Sequence, residues 1–372
     1  MKFKIKRNIL LENLTHVSKA ISPRNLIPIL TGIKFDLTEE GLYLSASDTD
    51  ISVQCLIDRD KISEISEYGS IVIGGKYIVE IIRKLPDTDI MIEVLDGFKM
   101  IISTSNTEFN LNGINPADFP NLDLTLTEKP IILNTEVFKN LVNQTFFATS
   151  QNEARPLLTG INFRIKDGNL EVMATDSYRL SRKVIVLDDV VSSELNIVIP
   201  GKNLVELTKM IGDENNNNIE LHIFNNKILF KYKNILFLSR LLSGTYPATS
   251  SIIPKDFNIS VDCNANVLYE MIDRASLLTS DREKNTIKLV LMNSVLTILS
   301  NSPEIGKVEE KMPVICDKEI SISFSSKYML DAIKSFSKEN ITININNDNS
   351  PIILNSSDDE SLIQLVLPIK TY

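Results

Sequence analysis

Residues 155–181, RPLLTGINFRIKDGNLEVMATDSYRLS, repeat an earlier part of their own chain. Thr159-Gly160-Ile161-Asn162-Phe163 echoes Thr31-Gly32-Ile33-Lys34-Phe35, and Ala174-Thr175-Asp176 echoes Ala46-Ser47-Asp48, both displaced by 128 positions. One displacement shared by two separate matches marks a duplicated unit. Residues 72–80, VIGGKYIVE, return as VIPGKNLVE at 198–206, and the motif reappears as FSSKYMLD at 324–331. Three copies of about 125 residues therefore fill the chain of 372, at 1–126, 127–252 and 253–372. The junctions fall near 125–130 and 250–256, where Pro, Thr, Lys and Glu replace core residues.

Each copy opens with a helical pattern: Leu10, Leu14, Val17 and Ile21 share a face in the first, Phe138, Leu141, Val142 and Phe146 in the second, and Val267, Met271, Ala275 and Leu278 in the third. A second helix follows in each copy, with stripes such as Ile78, Ile81, Ile82 and Leu85. The predicted helices cover 8–21, 76–85, 136–149, 202–211, 266–279 and 327–338. Between them the sequence alternates with period two, as in GLYLSA at 41–46 and KILFKY at 227–232, with turns at Asp96-Gly97, Asp167-Gly168 and Asn225-Asn226. The fold class is α+β: three tandem two-helix, antiparallel-sheet domains.

Gly74-Gly75-Lys76 does not make a phosphate loop, because Ser70 holds the first glycine position and Tyr77 follows the lysine. Its return as Pro200-Gly201-Lys202 and Ser325-Ser326-Lys327 marks a strand-to-helix junction where glycine relaxes the turn. A lysine opens the second helix in all three copies. Asp48, Asp50 and Asp176 sit at equivalent turns of duplicated copies, which suits turn chemistry better than a two-metal nuclease site.

Cys55, Cys263 and Cys316 are odd in number and far apart, which suggests neither a disulfide framework nor a zinc site. His16 and His222 lack metal-ligand or triad partners and read as packing or surface residues. The Asn215–Asn218 run reads as a solvated loop. No apolar run is long enough to cross a bilayer and no signal core follows Met1, so a cytoplasmic protein with no membrane partner is expected.

A net charge of −9 argues against nucleic acid as a partner. The six predicted helices nevertheless carry more Lys and Arg than Asp and Glu. A chain acidic overall but basic on its helices can offer one cationic surface to phosphates and repel nucleic acid elsewhere.

Several motifs converge on one family. Met1-Lys2-Phe3 before a helix, Pro28-Ile29-Leu30-Thr31-Gly32-Ile33, Ala117-Asp118-Phe119-Pro120, Arg155-Pro156-Leu157-Leu158-Thr159-Gly160, Ala174-Thr175-Asp176-Ser177-Tyr178-Arg179-Leu180, Tyr246-Pro247 and Leu367-Pro368-Ile369-Lys370-Thr371-Tyr372 together resemble the bacterial DNA polymerase III beta subunit family, the replicative sliding clamps. The resemblance covers the whole chain in order. It implies the DNA clamp fold, closed as a head-to-tail homodimeric ring with helices lining the hole. It also implies a processivity factor without catalysis, metal or cofactor, tethering the replicative polymerase to encircled double-stranded DNA.

On that resemblance, Arg24, Lys76, Arg83, Lys84, Lys202, Lys209, Lys334 and Lys338 are candidates for DNA contact. The family's partner pocket carries over to Leu158, Thr175, Ser177, Tyr178, Arg179, Leu180, Pro247, Ile252, Val366, Leu367, Pro368 and Ile369. Apolar walls would seat a short peptide of the polymerase, an ATP-driven clamp loader, or repair polymerases and ligase-type proteins, while Arg179 and the hydroxyls orient its polar groups. Tyr178 replaces a common histidine, Ser251 a common arginine and Lys370 the usual arginine, so peptide preference should differ. The dimer interface would use Phe109, Leu111, Leu277 and Leu278, with Glu304, Glu309 and Glu310 facing basic groups such as Lys76. The alternatives are a carboxylate-dependent nuclease and a non-encircling, peptide-binding repeat scaffold.

Overall fold

A computed structural model describes residues 1–22, 27–187, 194–213, 217–249, 252–280, 284–337 and 339–370. The first copy runs β1 (Lys2–Lys6), α1 (Arg7–Val17), β2 (Gly32–Leu37), β3 (Gly41–Ser47), β4 (Ile51–Asp58), β5 (Ile62–Glu67), β6 (Gly69–Gly74), α2 (Gly75–Lys84), β7 (Asp89–Leu95), β8 (Lys99–Ser103) and β9 (Glu108–Asn112). The second runs β10 (Ile131–Asn134), α3 (Thr135–Thr145), β11 (Gly160–Lys166), β12 (Asn169–Thr175), β13 (Arg179–Val186), β14 (Leu195–Pro200), α4 (Gly201–Thr208), β15 (Asn218–Ile223), β16 (Lys227–Tyr232) and β17 (Ile235–Arg240). The third runs β18 (Ile259–Asn264), α5 (Ala265–Ser276), β19 (Thr286–Met292), β20 (Val295–Ser302), β21 (Gly306–Pro313), β22 (Ile320–Ser325), α6 (Ser326–Lys334), β23 (Asn340–Ile345), β24 (Ile352–Ser356) and β25 (Asp359–Val366). Apart from the extra β5 the order repeats three times, as the equal displacements predict.

Each helix starts one residue before the predicted start and ends sooner than predicted; in the first helices of the first two copies the last turn tightens into 3-10 geometry at Ser18–Ala20 and Phe146–Ala148. Asn134 and Asn264 cap the first helices of the second and third copies, each side-chain oxygen accepting from two backbone amides of the first turn. Two apolar readings shift. Val267 is exposed, and the buried stripe of α5 runs through Leu268, Met271, Ile272 and Ala275. Gly75 and Gly201 do not need glycine for a turn, since neither has positive φ. They need it for space: a Cβ on Gly75 would lie 2.1 Å from Ile21 Cδ1, and one on Gly201 2.9 Å from the Phe146 ring.

Contacts divide the chain into two compact units, one of Met1–Phe138 with Glu206–Leu241 and one of Lys139–Val205 with Leu242–Tyr372. The first holds a five-stranded sheet, β5-β1-β7-β8-β9, and an eight-stranded sheet, β10-β15-β16-β17-β4-β3-β2-β6. The eight-stranded sheet crosses a repeat boundary: β17 pairs antiparallel with β4, from Ile235 opposite Cys55 to Ser239 opposite Ile51. Beside the joint Asn234 donates to Asn13 Oδ1 and to the Leu56 carbonyl at 2.7 and 2.9 Å. The core includes Phe3, Phe35, Phe138, Phe230 and Phe237, all fully buried. Phe138 lies 5.6 Å from Phe230, ring centre to ring centre. Phe138→Ala is expected to cost about 3–5 kcal/mol, the range for a buried phenylalanine, as a lower denaturation midpoint; an unchanged midpoint would remove this pair from the core account.

The second unit holds β14-β11-β12-β13-β25-β24-β23-β18 and a four-stranded sheet, β21-β20-β19-β22. Its eight-stranded sheet crosses the next boundary in the same way, through β13 and β25, from Arg179 opposite Val366 to Lys183 opposite Leu362. The joint is backed by a buried polar network in which Gln364 donates to the Gln144 carbonyl and Ser335 Oγ, and Ser181 donates to the same carbonyl.

After each copy's last strand the chain docks on the strand preceding that copy's second helix. Ile114 N donates to the Val72 carbonyl at 2.8 Å, Leu242 N to Val198 at 2.9 Å and Ile369 N to Ser323 at 2.7 Å. In the first two copies an aromatic plug follows. Phe119 packs with Ile29, Leu30 and Val72, and Tyr246 with Leu158 and Val198. The first linker then crosses a sheet face. Lys227 Nζ donates to the Asp123 carbonyl at 2.8 Å and pairs with its carboxylate. His222, buried as expected of a packing histidine, accepts from the Thr127 amide at 3.0 Å.

Candidate functional site

The cations singled out on the second helices differ in how free they are. Lys76 and Lys84 on α2 and Lys334 on α6 are exposed, and none has an ion pair among the described residues. Arg83 pairs with Glu80 one turn back, and Lys209 Nζ lies 2.6 Å from Glu206. Lys202 sits 3.8 Å from Glu153 with both groups largely exposed, a contact worth little. Arg24, Lys338 and Ser251 lie outside the described residues. The lysine that opens every second helix does not serve alike in all three copies, because Lys327 faces a pocket beside the chain's end.

The Asp48 and Asp176 turns are built the same way. Asp48 Oδ1 accepts from the amides of Asp50 and Ile51 at 3.0 and 2.9 Å. Asp176 Oδ1 accepts from Tyr178 and Arg179 at 2.9 and 3.0 Å. Between them Thr49 and Ser177 adopt left-handed φ of 85° and 79°. Among the described residues no cluster of His, Cys, Asp or Glu fits a metal ion, and no helix is long and apolar enough to cross a membrane.

The second turn carries a pocket. Its volume is about 610 Å³, and Tyr178, Tyr328, Leu367, Pro368 and Ile369 line it with Lys284, Lys327 and Lys370. Tyr178, exposed, stacks on Tyr328 at 6.4 Å and 22°. Leu367 N donates to the Tyr178 carbonyl at 2.9 Å, which brings the chain's end to this turn. Burial pushes the Tyr328 phenol up, and the Asp176 carboxylate adds to the shift.

Arg179 is not a free donor. Its guanidinium is buried, with Nε 3.0 Å from Asp176 Oδ2 and Nη1 2.5 Å from Asp331 Oδ2. It lies 4.6 Å from the Tyr328 ring centre and 5.3 Å from that of Phe147. Two carboxylates hold Nε and Nη1 and two rings flank the guanidinium, so Arg179 acts as a strut beneath the Tyr328 ring.

The remaining predicted residues sit beside the pocket rather than in its lining. Leu158 is buried against Tyr246 and Val198. Leu180 is buried with Met173, Ile353 and Leu365, against which Ile253, Phe257 and Leu367 pack. Val366 is fully buried. Thr175 Oγ1 donates to the Arg179 carbonyl, its amide donates to Tyr246 Oη at 3.1 Å, and Ser177 N donates to Thr175 Oγ1. Pro247 and Ile252 are exposed. Sequence reasoning missed Tyr328 and Lys327; their place after β22, opposite the Asp176 turn, appears only on folding.

Phe109 and Leu111 lie half-buried on β9, an edge strand. Leu277 is exposed and Leu278 half-buried just beyond α5. Within the chain Glu310 and Glu309 both have basic partners. Arg274 binds Glu310 through two nitrogens at 2.6 and 2.8 Å and holds its carboxyl below the usual range, while Lys311 takes Glu309 at 2.7 Å.

Three family profiles match in succession: the N-terminal domain of the DNA polymerase III beta subunit over residues 1–123, its central domain over 132–248 and its C-terminal domain over 250–370. The chain is 40% identical to the beta sliding clamps of Staphylococcus epidermidis and Staphylococcus aureus, over 100% of both chains. Its fold matches the DNA polymerase sliding clamp of Bacillus subtilis with a TM-score of 0.96 at 40% identity. It matches the beta chain from Streptococcus pneumoniae with 0.94 at 33%, each over 100% of both chains.

Proposed function

The chain belongs to the DNA polymerase III beta subunit family and is a non-catalytic sliding clamp of DNA replication, and from that premise we propose that two copies join head to tail in a ring around duplex DNA. Full-length kinship with clamps disfavours a non-encircling scaffold. The observation that carries ring closure is the pattern of repeat-crossing strands. β4 pairs with β17 and β13 with β25, each joining the fourth shared strand of one copy to the last strand of the next. The strands left over in those places are β21 and β9, and both are sheet edges.

Their free groups match. The amides of Gly113 and Thr104 bond within the β8–β9 hairpin, so the alternation of an antiparallel ladder turns the amides of Glu108, Asn110 and Asn112 outward. The Val314 amide bonds to Ser294, which by the same alternation turns those of Lys307, Glu309 and Lys311 outward. Carrying over the register of the two existing joints sets Ile305 opposite Asn112, Lys307 opposite Asn110 and Glu309 opposite Glu108 of a second copy. That brings Val308 beside Phe109 within.

The exposed lysines of the second helices supply the DNA contact. Phosphate-directed contacts carry no sequence information, so neighbouring registers have nearly equal energy and the ring slides. The pocket at Tyr178 and Leu367 takes a short peptide of the polymerase, and in turn of the loader and repair proteins, in the cytoplasm. Tethering raises the polymerase's effective concentration at the primer end. After loading onto nicked circular DNA by an ATP-driven loader, the protein should stay bound through gel filtration and leave when the circle is cut. Retention that ignores the cut would mean surface binding and would end the encirclement reading.

A further inference from the structure

Above the strands of the four-stranded sheet of the second unit lies an open groove of about 1030 Å³, sharing Lys284, Ile369 and Lys370 with the Tyr178 pocket. Its position is the notable part. In the first copy the chain's own linker crosses the corresponding face, with Phe119 plugged beside Val72 and the Asp123 carboxylate held by Lys227. In the second copy Tyr246 plugs beside Val198, and Ile253 and Phe257 continue over Met173 and Leu180. In the third copy Ile369 makes the equivalent bond to Ser323, and among the described residues no later segment crosses the groove.

The side chains have changed to suit. Matching strand pairings put Ser323 where Val72 and Val198 stand, and Lys307 where Leu180 stands; Lys288 lies beside Leu299 and Ser323 in the same sheet. Lys284, Lys288, Lys307 and Lys370 are exposed, and none pairs with a carboxylate among the described residues. The one carboxylate in the lining, Glu309, is taken by Lys311 at 2.7 Å. A face that is covered by apolar packing in one copy is thus open in another and, among the described residues, carries more lysine than carboxylate.

We propose that this groove takes the extended, acidic flank of the partner peptide whose apolar anchor occupies the adjoining pocket. The assignment rests on the peptide-pocket reading above. Charge complementarity selects the occupant, and continuity of the two cavities places it. The first unit already holds an example of the contact, a lysine gripping an acidic linker segment across a sheet face. A peptide that fills the pocket would gain affinity from the groove through carboxylates spaced along an extended chain, in a salt-dependent way.

The test uses the full chain and fluorescein-labelled synthetic peptides that share a leucine–phenylalanine anchor. One carries no flank, two carry four aspartates before or after the anchor, and two carry four asparagines in those places. One of the aspartate peptides should bind about tenfold more tightly than its asparagine counterpart at 50 mM salt, and the advantage should shrink at 500 mM. In the double variant Lys288→Gln/Lys307→Gln the advantage should vanish while the flankless peptide binds unchanged. If the flankless peptide binds but neither aspartate flank helps, or if the double variant keeps the advantage, the groove assignment fails alone. If the flankless peptide does not bind at all, the pocket reading fails and takes the groove with it. Removal of residues 371–372 is a further arm: an aspartate advantage that appears only in the shortened chain would show the groove to be the seat of the chain's own end. A labelled oligonucleotide that loses binding in the double variant, with no peptide effect, would make the groove a nucleic-acid surface instead.

Discussion

Asn110→Pro should turn the dimer into monomers without unfolding the chain. Asn110 is exposed on an edge strand with its amide directed away from β8, so proline there removes no bond of the existing sheet. Across the joint it deletes one donor, presents its ring to the Lys307 backbone and breaks the central pair of three. Taking about 3 kcal/mol for removing the donor and leaving a carbonyl unpaired in the joint, the dimer weakens by more than about a hundredfold in Kd. Sedimentation equilibrium should show a single-chain mass at micromolar concentration, and retention on nicked circles should be lost. Asn110→Ala keeps the amide and should stay dimeric. A dimeric proline variant with a normal melting curve would place the interface elsewhere.

Arg179→Ala should cost stability and peptide binding together. The guanidinium is buried, joins Asp176 to Asp331 and supports the Tyr328 ring. Removing one partner of a buried ion pair typically costs about 3–5 kcal/mol; here Asp331 is partly open to water and can rehydrate, so about 3 kcal/mol is expected. Tyr328 then loses its support, the wall it shares with Tyr178 loosens, and an anchor peptide should bind at least tenfold more weakly. Arg179→Lys restores the charge but not the fork and should recover only part of either effect. Urea unfolding and peptide anisotropy check the two halves. If Arg179→Ala binds peptide normally at full stability, the strut role is wrong. Weak binding at full stability would instead mean that Arg179 touches the peptide directly.

How much of this was legible beforehand depends on distance along the chain. The Thr31 and Thr159 matches, the Ala46 and Ala174 matches and the stripes of Leu10, Leu14 and Val17 are local, so the copies, both helices in each and the α+β class follow from sequence. The joints between copies do not, because Cys55 meets Ile235 across far more sequence than any local rule spans. Period two shows that a strand exists and which face is buried; it does not name the partner. Gly75 and Gly201 show a subtler limit, since the residue was right for a packing reason, an approaching Ile21 or Phe146, that the turn argument did not contain. Arg179 looked like a donor for a ligand because the sequence could not show Asp331, Phe147 and Tyr328 closing around it. Lys327 looked like Lys76 and Lys202 because position in a repeat does not fix what the neighbouring chain does.

The two repeat-crossing strand pairs have a consequence for what counts as a module here. The segment that was copied ends at the linker, whereas the sheet that must stay whole runs through β4 into β17 and through β13 into β25. Repetition and packing therefore frame this polypeptide differently: the repeated cassette has three instances, and the compact units number two. A cassette excised at its own borders would carry a raw sheet edge that its neighbour normally seals, and so would be a fragment even though it is a complete repeat. Such a cassette needs another copy to seal its edge, within the chain at β4–β17 and β13–β25 and, in the proposed ring, between chains at β9 and β21.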